Sequence, residues 1–201
     1  MILNKNKFLL TPMTLLPNRF AEYEYCLYIT NNLNGYFMEF GVYKGKSINF
    51  MAKKKPNTIF YGFDSFEGLP EDWDMGNKVE KKGHFNFNGI PDVEKNVVLI
   101  KGWFDNTIKK WKGQNNGQIS FINIDSDLYS SAKTILYELN DQIVKNTVIR
   151  FDDLLDSPIA RYPKWVEGEW KALCEWCKDK NRDIVPVARS WKQGCTIVVK
   201  N

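Results

Sequence analysis

From residue 36 onward, short apolar runs alternate with longer polar stretches. The runs at 36–41, 58–63, 97–100, 119–124 and 147–151 are aromatic or β-branched and nearly continuous. A strand with one wet face alternates apolar and polar positions, whereas a run without alternation predicts a strand covered on both faces, as in a parallel sheet. Between these runs, apolar residues return at helical spacing. Residues 130–144 place Ala132, Ile135, Leu136, Leu139 and Ile143 on one face, and residues 164–180 do the same with Trp165, Trp170, Leu173 and Trp176. The alternation predicts an α/β fold on a doubly wound, mostly parallel sheet. Two last runs, 183–188 and 196–199, are joined through Trp191-Lys192-Gln193-Gly194. They predict an antiparallel C-terminal hairpin on the sheet's edge, which makes seven strands.

Two segments break the rhythm. Residues 1–35 precede the first sheet strand, and 18–32, with Phe20, Tyr23, Cys26, Leu27 and Ile29, predicts a helix that caps the ligand mouth. Residues 65–96 spend far more chain than a tight α/β connection needs and are rich in Gly, Pro, Asn and charge. An insertion of that kind is expected to be a lid, held by few buried apolar contacts when the site is empty. Its aromatics Phe66, Trp73, Phe85 and Phe87 would wall a substrate, with Lys81 and Lys82 in solvent. At 201 residues, set against a prior of about 100–200 residues per domain, the chain reads as one domain over 1–201.

Composition and charge narrow the class. A hydrophobic fraction of 43% excludes a disordered chain, and a net charge of +4 with scattered lysines lacks the clustering of a nucleic-acid footprint. The apolar run Phe8-Leu9-Leu10 stops at Thr11-Pro12, too short for a signal or a membrane span, so a cytoplasmic protein without a membrane partner is expected. Cys174 and Cys177 have C-x-x-C spacing, but no second pair follows and His84 is the only histidine, so they read as buried thiols on an amphipathic helix.

Open α/β sheets bind ligands beyond the carboxyl ends of their strands. The residues there are rich in chemistry. Glu39-Phe40-Gly41-Val42-Tyr43-Lys44-Gly45-Lys46-Ser47 follows the first run, with Gly41 and Gly45 free to turn close to a ligand, although the stretch fits neither G-x-G-x-x-G nor a P-loop. Asp64 follows the second run, about 20 residues beyond Gly41, where an acid takes ribose hydroxyls. Gly102-Trp103-Phe104 follows the third and offers aromatic surface for an adenine. Asp125 and Asp127 follow the fourth run, and Asp152 and Asp153 the fifth. Four like charges at one sheet edge repel, and a hard divalent cation with oxygen ligands resolves the conflict.

Glu39-Phe40-Gly41-Val42-Tyr43-Lys44-Gly45, Phe63-Asp64-Ser65-Phe66-Glu67-Gly68-Leu69-Pro70, Gly102-Trp103-Phe104-Asp105-Asn106-Thr107 and Ile124-Asp125-Ser126-Asp127-Leu128-Tyr129 together resemble the macrocin O-methyltransferase family. The resemblance implies a Rossmann-like class I fold, S-adenosylmethionine as cofactor, a Mg²⁺ site and a hydroxyl acceptor on a sugar or glycosylated small molecule. It implies that Glu39, Gly41 and Ser47 hold the methionine end of the cofactor, Asp64 the ribose and Trp103 the adenine surroundings. Tyr43, Ser65, Gly102, Phe104 and Asp125 complete the implied cofactor set, and Asp125, Asp152 and Asp153 are the implied metal ligands. Relatives can carry a His or Lys three positions after the first metal aspartate, but this chain has Leu128, which leaves Asp125 or a water to take the acceptor's proton. A metal-dependent glycosyltransferase is the alternative, because Asp125-Ser126-Asp127 also fits a D-x-D pattern. The expected partner is a small-molecule or sugar acceptor, with room for a homo-oligomer.

Overall fold

Ile119–Ile124 is buried at all of its positions, as a run covered on both faces must be. The strand it forms lies inside a sheet described by a computed structural model covering residues 3–30, 33–190 and 192–201. In chain order the elements are α1 (Lys5–Leu10), β1 (Thr14–Leu16), α2 (Arg19–Ile29), β2 (Tyr36–Phe40), α3 (Lys46–Lys54), β3 (Phe60–Asp64), β4 (Trp73–Asp74), β5 (Val79–Glu80) and β6 (Val97–Lys101). Then follow α4 (Phe104–Lys112), β7 (Ile119–Ile124), α5 (Tyr129–Glu138), β8 (Ile143–Phe151), a 3₁₀ turn at Trp165–Glu167, α6 (Glu169–Asp179), β9 (Ile184–Ser190) and β10 (Cys195–Val199).

The main sheet has eight strands in the order β1-β9-β10-β8-β7-β2-β3-β6. Neighbours from β8 to β6 run parallel, while β10 is antiparallel to both β8 and β9. The chain steps outward from β2 through β3 to β6, then returns to place β7 on the other side of β2. That reversal opens a crevice at the carboxyl ends of β2 and β7, where open α/β sheets hold their ligands. Side-chain alternation sorts the two faces. Phe37, Phe60, Phe121 and Val148 pack with Tyr23 of α2 and Ile48 and Met51 of α3. Met38, Phe40, Ile122, Ile124 and Ile149 pack with Ile108 of α4, Ile135 of α5 and Trp176 of α6. The sheet is therefore wound on both sides.

Several boundaries differ from the sequence reading, each for a physical reason. β1 is an eighth strand, too short for periodicity to reveal, and it pairs with β9, so the C-terminal hairpin is not at the edge. The helix expected over 130–144 ends at Glu138, and Ile143 opens β8. Ile143 has helical spacing from Leu139, but both are buried, and burial alone does not distinguish helix from strand. The helix expected over 164–180 breaks at Gly168, where an added Cβ would lie 2.3 Å from the Tyr162 hydroxyl. In α2, Thr30 follows the last turn and its hydroxyl donates to Cys26 O at 2.8 Å. Asn32 and Trp191, at the ends of the expected helix and hairpin turn, lie outside the described residues.

The insertion 65–96 is better packed than its composition suggests. β4 and β5 form a small antiparallel hairpin. Leu69, Trp73 and Met75 are buried in a cluster of their own with Leu128 and Tyr162, and Phe66 is buried against the α2/α3 layer. Trp73 Nε1 also donates to the Tyr162 hydroxyl at 3.1 Å. The expectation of few buried apolar contacts is thus corrected for residues 66–75. Beyond them, Phe85 is exposed and Phe87 half-buried.

Candidate cofactor and metal site

A cavity of about 1180 Å³ opens at the carboxyl ends of β2, β3, β7 and β8. Its floor is a glycine turn. Gly41 has φ +91°, and a Cβ there would lie 1.8 Å from the backbone oxygen of Asp125, so only glycine lets β2 and β7 approach this closely. Asp64 holds the turn open from β3. Its Oδ2 accepts from the amides of Val42 (2.7 Å) and Tyr43 (2.8 Å), and its Oδ1 from Phe66 (2.7 Å). A carboxylate has about four lone-pair sites, so one remains on Oδ1 for a ligand hydroxyl. Tyr43, Ser47, Ser65, Trp103 and Phe104 also line the cavity. Trp103 is 38% exposed and is a wall of the cavity, not a core residue.

Two residues of the expected cofactor set stand back from the cavity. Gly102 is not among its lining residues; its φ is +138° and its amide donates to Asp64 O at 2.9 Å, linking the end of β6 to β3. Glu39 is fully buried beneath the floor. Its Oε1 accepts from the Ser47 hydroxyl at 2.9 Å and its Oε2 from the Asn123 amide at 3.0 Å. Burial, and then the neighbouring Asp125 charge, push its carboxyl up to about 8. Ser47, not Glu39, lines the cavity.

On the other side of the cavity the carboxylates converge. One oxygen each of Asp125, Asp127 and Asp153 lie within 4.8 Å of one another. Asp127 reaches the cluster through a left-handed backbone turn, φ +62°. Burial, followed by the repulsion of Asp152, raises Asp125 to about 7, and burial with neighbouring carboxylates pushes Asp127 and Asp153 well above the ordinary range. Glu169 of α6 stands behind them and is raised in the same way, its Oε2 accepting from the Asp153 amide at 3.1 Å. Three hard oxygen donors at this spacing, with their charges in conflict, suit a divalent cation such as Mg²⁺.

Asp152, expected to share in that triad, faces cations already present. Its Oδ1 accepts from Arg150 Nη2 at 2.6 Å, and its Oδ2 is 3.1 Å from Arg19 Nη2. Burial pushes its carboxyl up, but the two guanidinium groups outweigh that and hold it below the ordinary value. Arg19, from α2, also donates to Asp125 Oδ2. The structure therefore groups Asp127 with Asp125 and Asp153, and pairs Asp152 with arginines. Sequence reasoning missed Arg19, Arg150 and Glu169. Arg150 alone carried a signal, a charge inside an apolar strand run.

Arg19 stands where a divalent ion at the cluster would compete with it. Arg19→Gln is expected to tighten Mn²⁺ binding about threefold to tenfold, the value of a charge-assisted bond discounted for a partly exposed partner. Free Mn²⁺ measured by electron paramagnetic resonance reads this directly. Weaker binding in the variant would mean that Arg19 supports the ion and does not oppose it.

A family model described as Macrocin-O-methyltransferase (TylF) matches residues 17–164. The chain belongs to the macrocin O-methyltransferase family. It is accordingly an S-adenosylmethionine-dependent O-methyltransferase with a class I fold. The matched span runs from the start of α2 to the loop before α6, so it holds the glycine turn, Asp64 and the whole carboxylate cluster. No curated protein matches the chain. Among solved structures, the calicheamicin methyltransferase CalS11 is 20% identical with TM-score 0.71, over 90% of this chain and 78% of that one. The O-methyltransferase NovP is 18% identical with TM-score 0.62, over 91% and 80%. An O-methyltransferase from Bacillus cereus in complex with SAH is 12% identical with TM-score 0.62, over 98% and 86%. At these identities the likeness is one of fold. Neither the fold nor the family favours the glycosyltransferase alternative. No helix among the described residues is long and apolar enough to cross a membrane.

Proposed function

We propose that this family member transfers the methyl group of S-adenosylmethionine to a hydroxyl of a sugar or glycosylated small molecule, with Mg²⁺ at the carboxylate cluster. The observation that carries the reading is a single cavity shared by the glycine turn and the cluster, so that a cofactor on one side and an acceptor on the other would meet. The volume supports a bulky acceptor beside the cofactor. CalS11 is described as a TDP-rhamnose 3′-O-methyltransferase in calicheamicin biosynthesis, which favours a sugar hydroxyl here.

The residues present fit both groups. For the cofactor, the Gly41 turn leaves room that a side chain would fill, Asp64 Oδ1 keeps acceptor capacity for a ribose hydroxyl, and Trp103 offers a flat wall. For the ion, Asp125, Asp127 and Asp153 supply hard oxygen ligands. A bound Mg²⁺ would supply Lewis-acid polarisation and a template for the acceptor hydroxyl. The protein's own share is alignment: the acceptor oxygen must attack the methyl carbon in line as the carbon–sulfur bond breaks and S-adenosylhomocysteine leaves. A carboxylate oxygen of Asp125 takes the hydroxyl proton. Position 128 offers no base, because Leu128 is turned into the apolar cluster under the insertion.

The test is methyl transfer from labelled S-adenosylmethionine to a panel of free, nucleotide-linked and natural-product-linked sugars, with and without chelation. Transfer to a sugar hydroxyl that stops on chelation is the expected result. Transfer unaffected by exhaustive EDTA would overturn the role of Mg²⁺, and transfer only to non-sugar hydroxyls the acceptor class.

The proposed lid now has two parts. Residues 66–75, anchored by Phe66, Leu69, Trp73 and Met75, are expected to resist amide exchange in the empty protein, while the exposed stretch 76–90 exchanges quickly and slows when SAH and Mg²⁺ are added. Equal exchange of 76–90 in both states would leave the gate without support.

A further inference from the structure

The sheet register sets one polar row across a face that is otherwise apolar. Glu39 of β2 stands opposite Asn123 of β7, Asn123 opposite Arg150 of β8, and Arg150 opposite Thr196 of β10. All four are fully buried. Their neighbours along the same strands, Phe37, Phe121 and Val148, belong to the hydrophobic layer under α2 and α3. Apolar residues of similar shape would fill this space without desolvating an arginine and its carboxylates. Packing alone does not account for the row.

Its bonds form one chain with both ends in the cavity. Ser47, on the cofactor side of the cavity wall, donates to Glu39 Oε1 at 2.9 Å. Asn123 Nδ2 donates to Glu39 Oε2 at 3.0 Å, and Arg150 Nη1 donates to Asn123 Oδ1 at 2.9 Å. Arg150 Nη2 then donates to Asp152 Oδ1 at 2.6 Å, and Asp152 returns to the cavity wall beside the carboxylate cluster. Arg150 is fixed from every other side. Its Nε is 3.2 Å from Glu22 Oε2, Glu22 Oε1 accepts from the Thr196 hydroxyl at 2.9 Å, and the guanidinium lies over the Tyr23 ring at 4.6 Å.

We infer that Arg150 is a positioning residue which, through Asn123, couples the cofactor crevice to the carboxylate cluster, so that filling either one favours filling the other. The guanidinium hydrogen-bonds Asn123 and Asp152 together while staying within ion-pair distance of Glu22. A ligand at Ser47 that orders Glu39 fixes the Asn123 amide, and the amide fixes the fork that aims Asp152, which shares Arg19 with Asp125 of the cluster. The second ligand then meets a site already ordered, and linkage makes the effect reciprocal. The inference rests on the proposed reading of the two sites, and the experiment separates the two claims.

The whole protein is titrated with Mn²⁺, free ion being read by electron paramagnetic resonance, with and without saturating S-adenosylhomocysteine. In the parent, S-adenosylhomocysteine is expected to tighten Mn²⁺ binding by about fivefold or more, the lower end of typical coupling. Asn123→Leu removes both central bonds at similar shape and is expected to bring the ratio to about one. Arg150→Lys keeps a buried positive charge for Glu22 and Asp152 but loses the fork, and it is expected to lower the ratio too; it carries the comparison if the leucine variant does not fold. Circular dichroism and a cooperative melt establish folding in each. A residue that only supports the fold would shift both affinities and leave their ratio alone, so variants that keep the parent's ratio overturn the inference. Independent filling of both sites in the parent also overturns it, while leaving the proposed sites standing. A parent that binds neither ligand overturns both claims.

Discussion

Asp153→Asn is expected to lower methyl transfer about a hundredfold, equivalent to ~2.7 kcal/mol of lost transition-state stabilisation, while leaving S-adenosylhomocysteine affinity in metal-free buffer within about twofold of the parent. Asp153 is 4% exposed and contributes one of three carboxylate oxygens within 4.8 Å of one another. An amide there still fills the space, but it brings no charge to a hard cation. The cofactor side is untouched, because the Asp153 carboxyl meets Asp127 and its backbone amide donates to Glu169 of α6, neither of them in the row that leads to Ser47. The same substitution should stabilise the metal-free protein. Its carboxyl is raised by burial and then by repulsion from Asp152 and Asp127, so a neutral side chain relieves a conflict that the ion would otherwise relieve. At this size ~1 kcal/mol moves Tm by roughly 2–4 °C. A higher Tm in EDTA together with lower turnover is the signature of a ligand kept for function. Parent-level turnover in the variant, or in the parent after exhaustive chelation, would remove the ion from the reaction.

Much of this arrangement is visible in the sequence because buried parallel strands leave continuous apolar runs, and the first polar residues after each run sit at the ligand edge. That logic located Gly41, Asp64, Trp103, Asp125 and Asp153 without coordinates. It fails where a position is decided by long-range geometry. Arg19 meets Asp125 only after the chain has crossed the sheet, and nothing local to Pro17-Asn18-Arg19 announces the encounter. β1 has too few residues to show a period, and its pairing with β9 moves the C-terminal hairpin inward. The insertion misled for a different reason. Its Gly, Pro and charged residues describe the exposed turns, while Phe66, Leu69, Trp73 and Met75, spread irregularly, do the packing. Glu39 is at the expected strand end but lies beneath the cavity floor, since a strand's last inward-facing residue can sit one layer below the cavity. The polar positions inside apolar strand runs, Glu39, Asn123 and Arg150, mark the buried row.

Asp64→Ala is expected to weaken S-adenosylhomocysteine binding by a hundredfold or more, and a pair of ligands distinguishes the two reasons. The first is local architecture. Asp64 accepts three backbone amides, from Val42, Tyr43 and Phe66, and these bonds bend the glycine turn into the shape that a ligand meets. Each hydrogen bond to a charged group is worth roughly 1.5–3 kcal/mol, and Val42 and Phe66 are themselves buried, so their amides have little access to water as a replacement. The second is direct contact with a ribose hydroxyl through the remaining capacity of Oδ1. S-adenosylhomocysteine and its 2′,3′-dideoxy analogue, titrated side by side, tell them apart. If the carboxylate touches the ribose, the parent prefers the natural ligand and Asp64→Ala loses that preference as well as affinity. If Asp64 acts through the turn alone, both ligands weaken by the same factor and the preference survives. A variant that binds S-adenosylhomocysteine as tightly as the parent would overturn both readings and move the cofactor away from the glycine turn after β2.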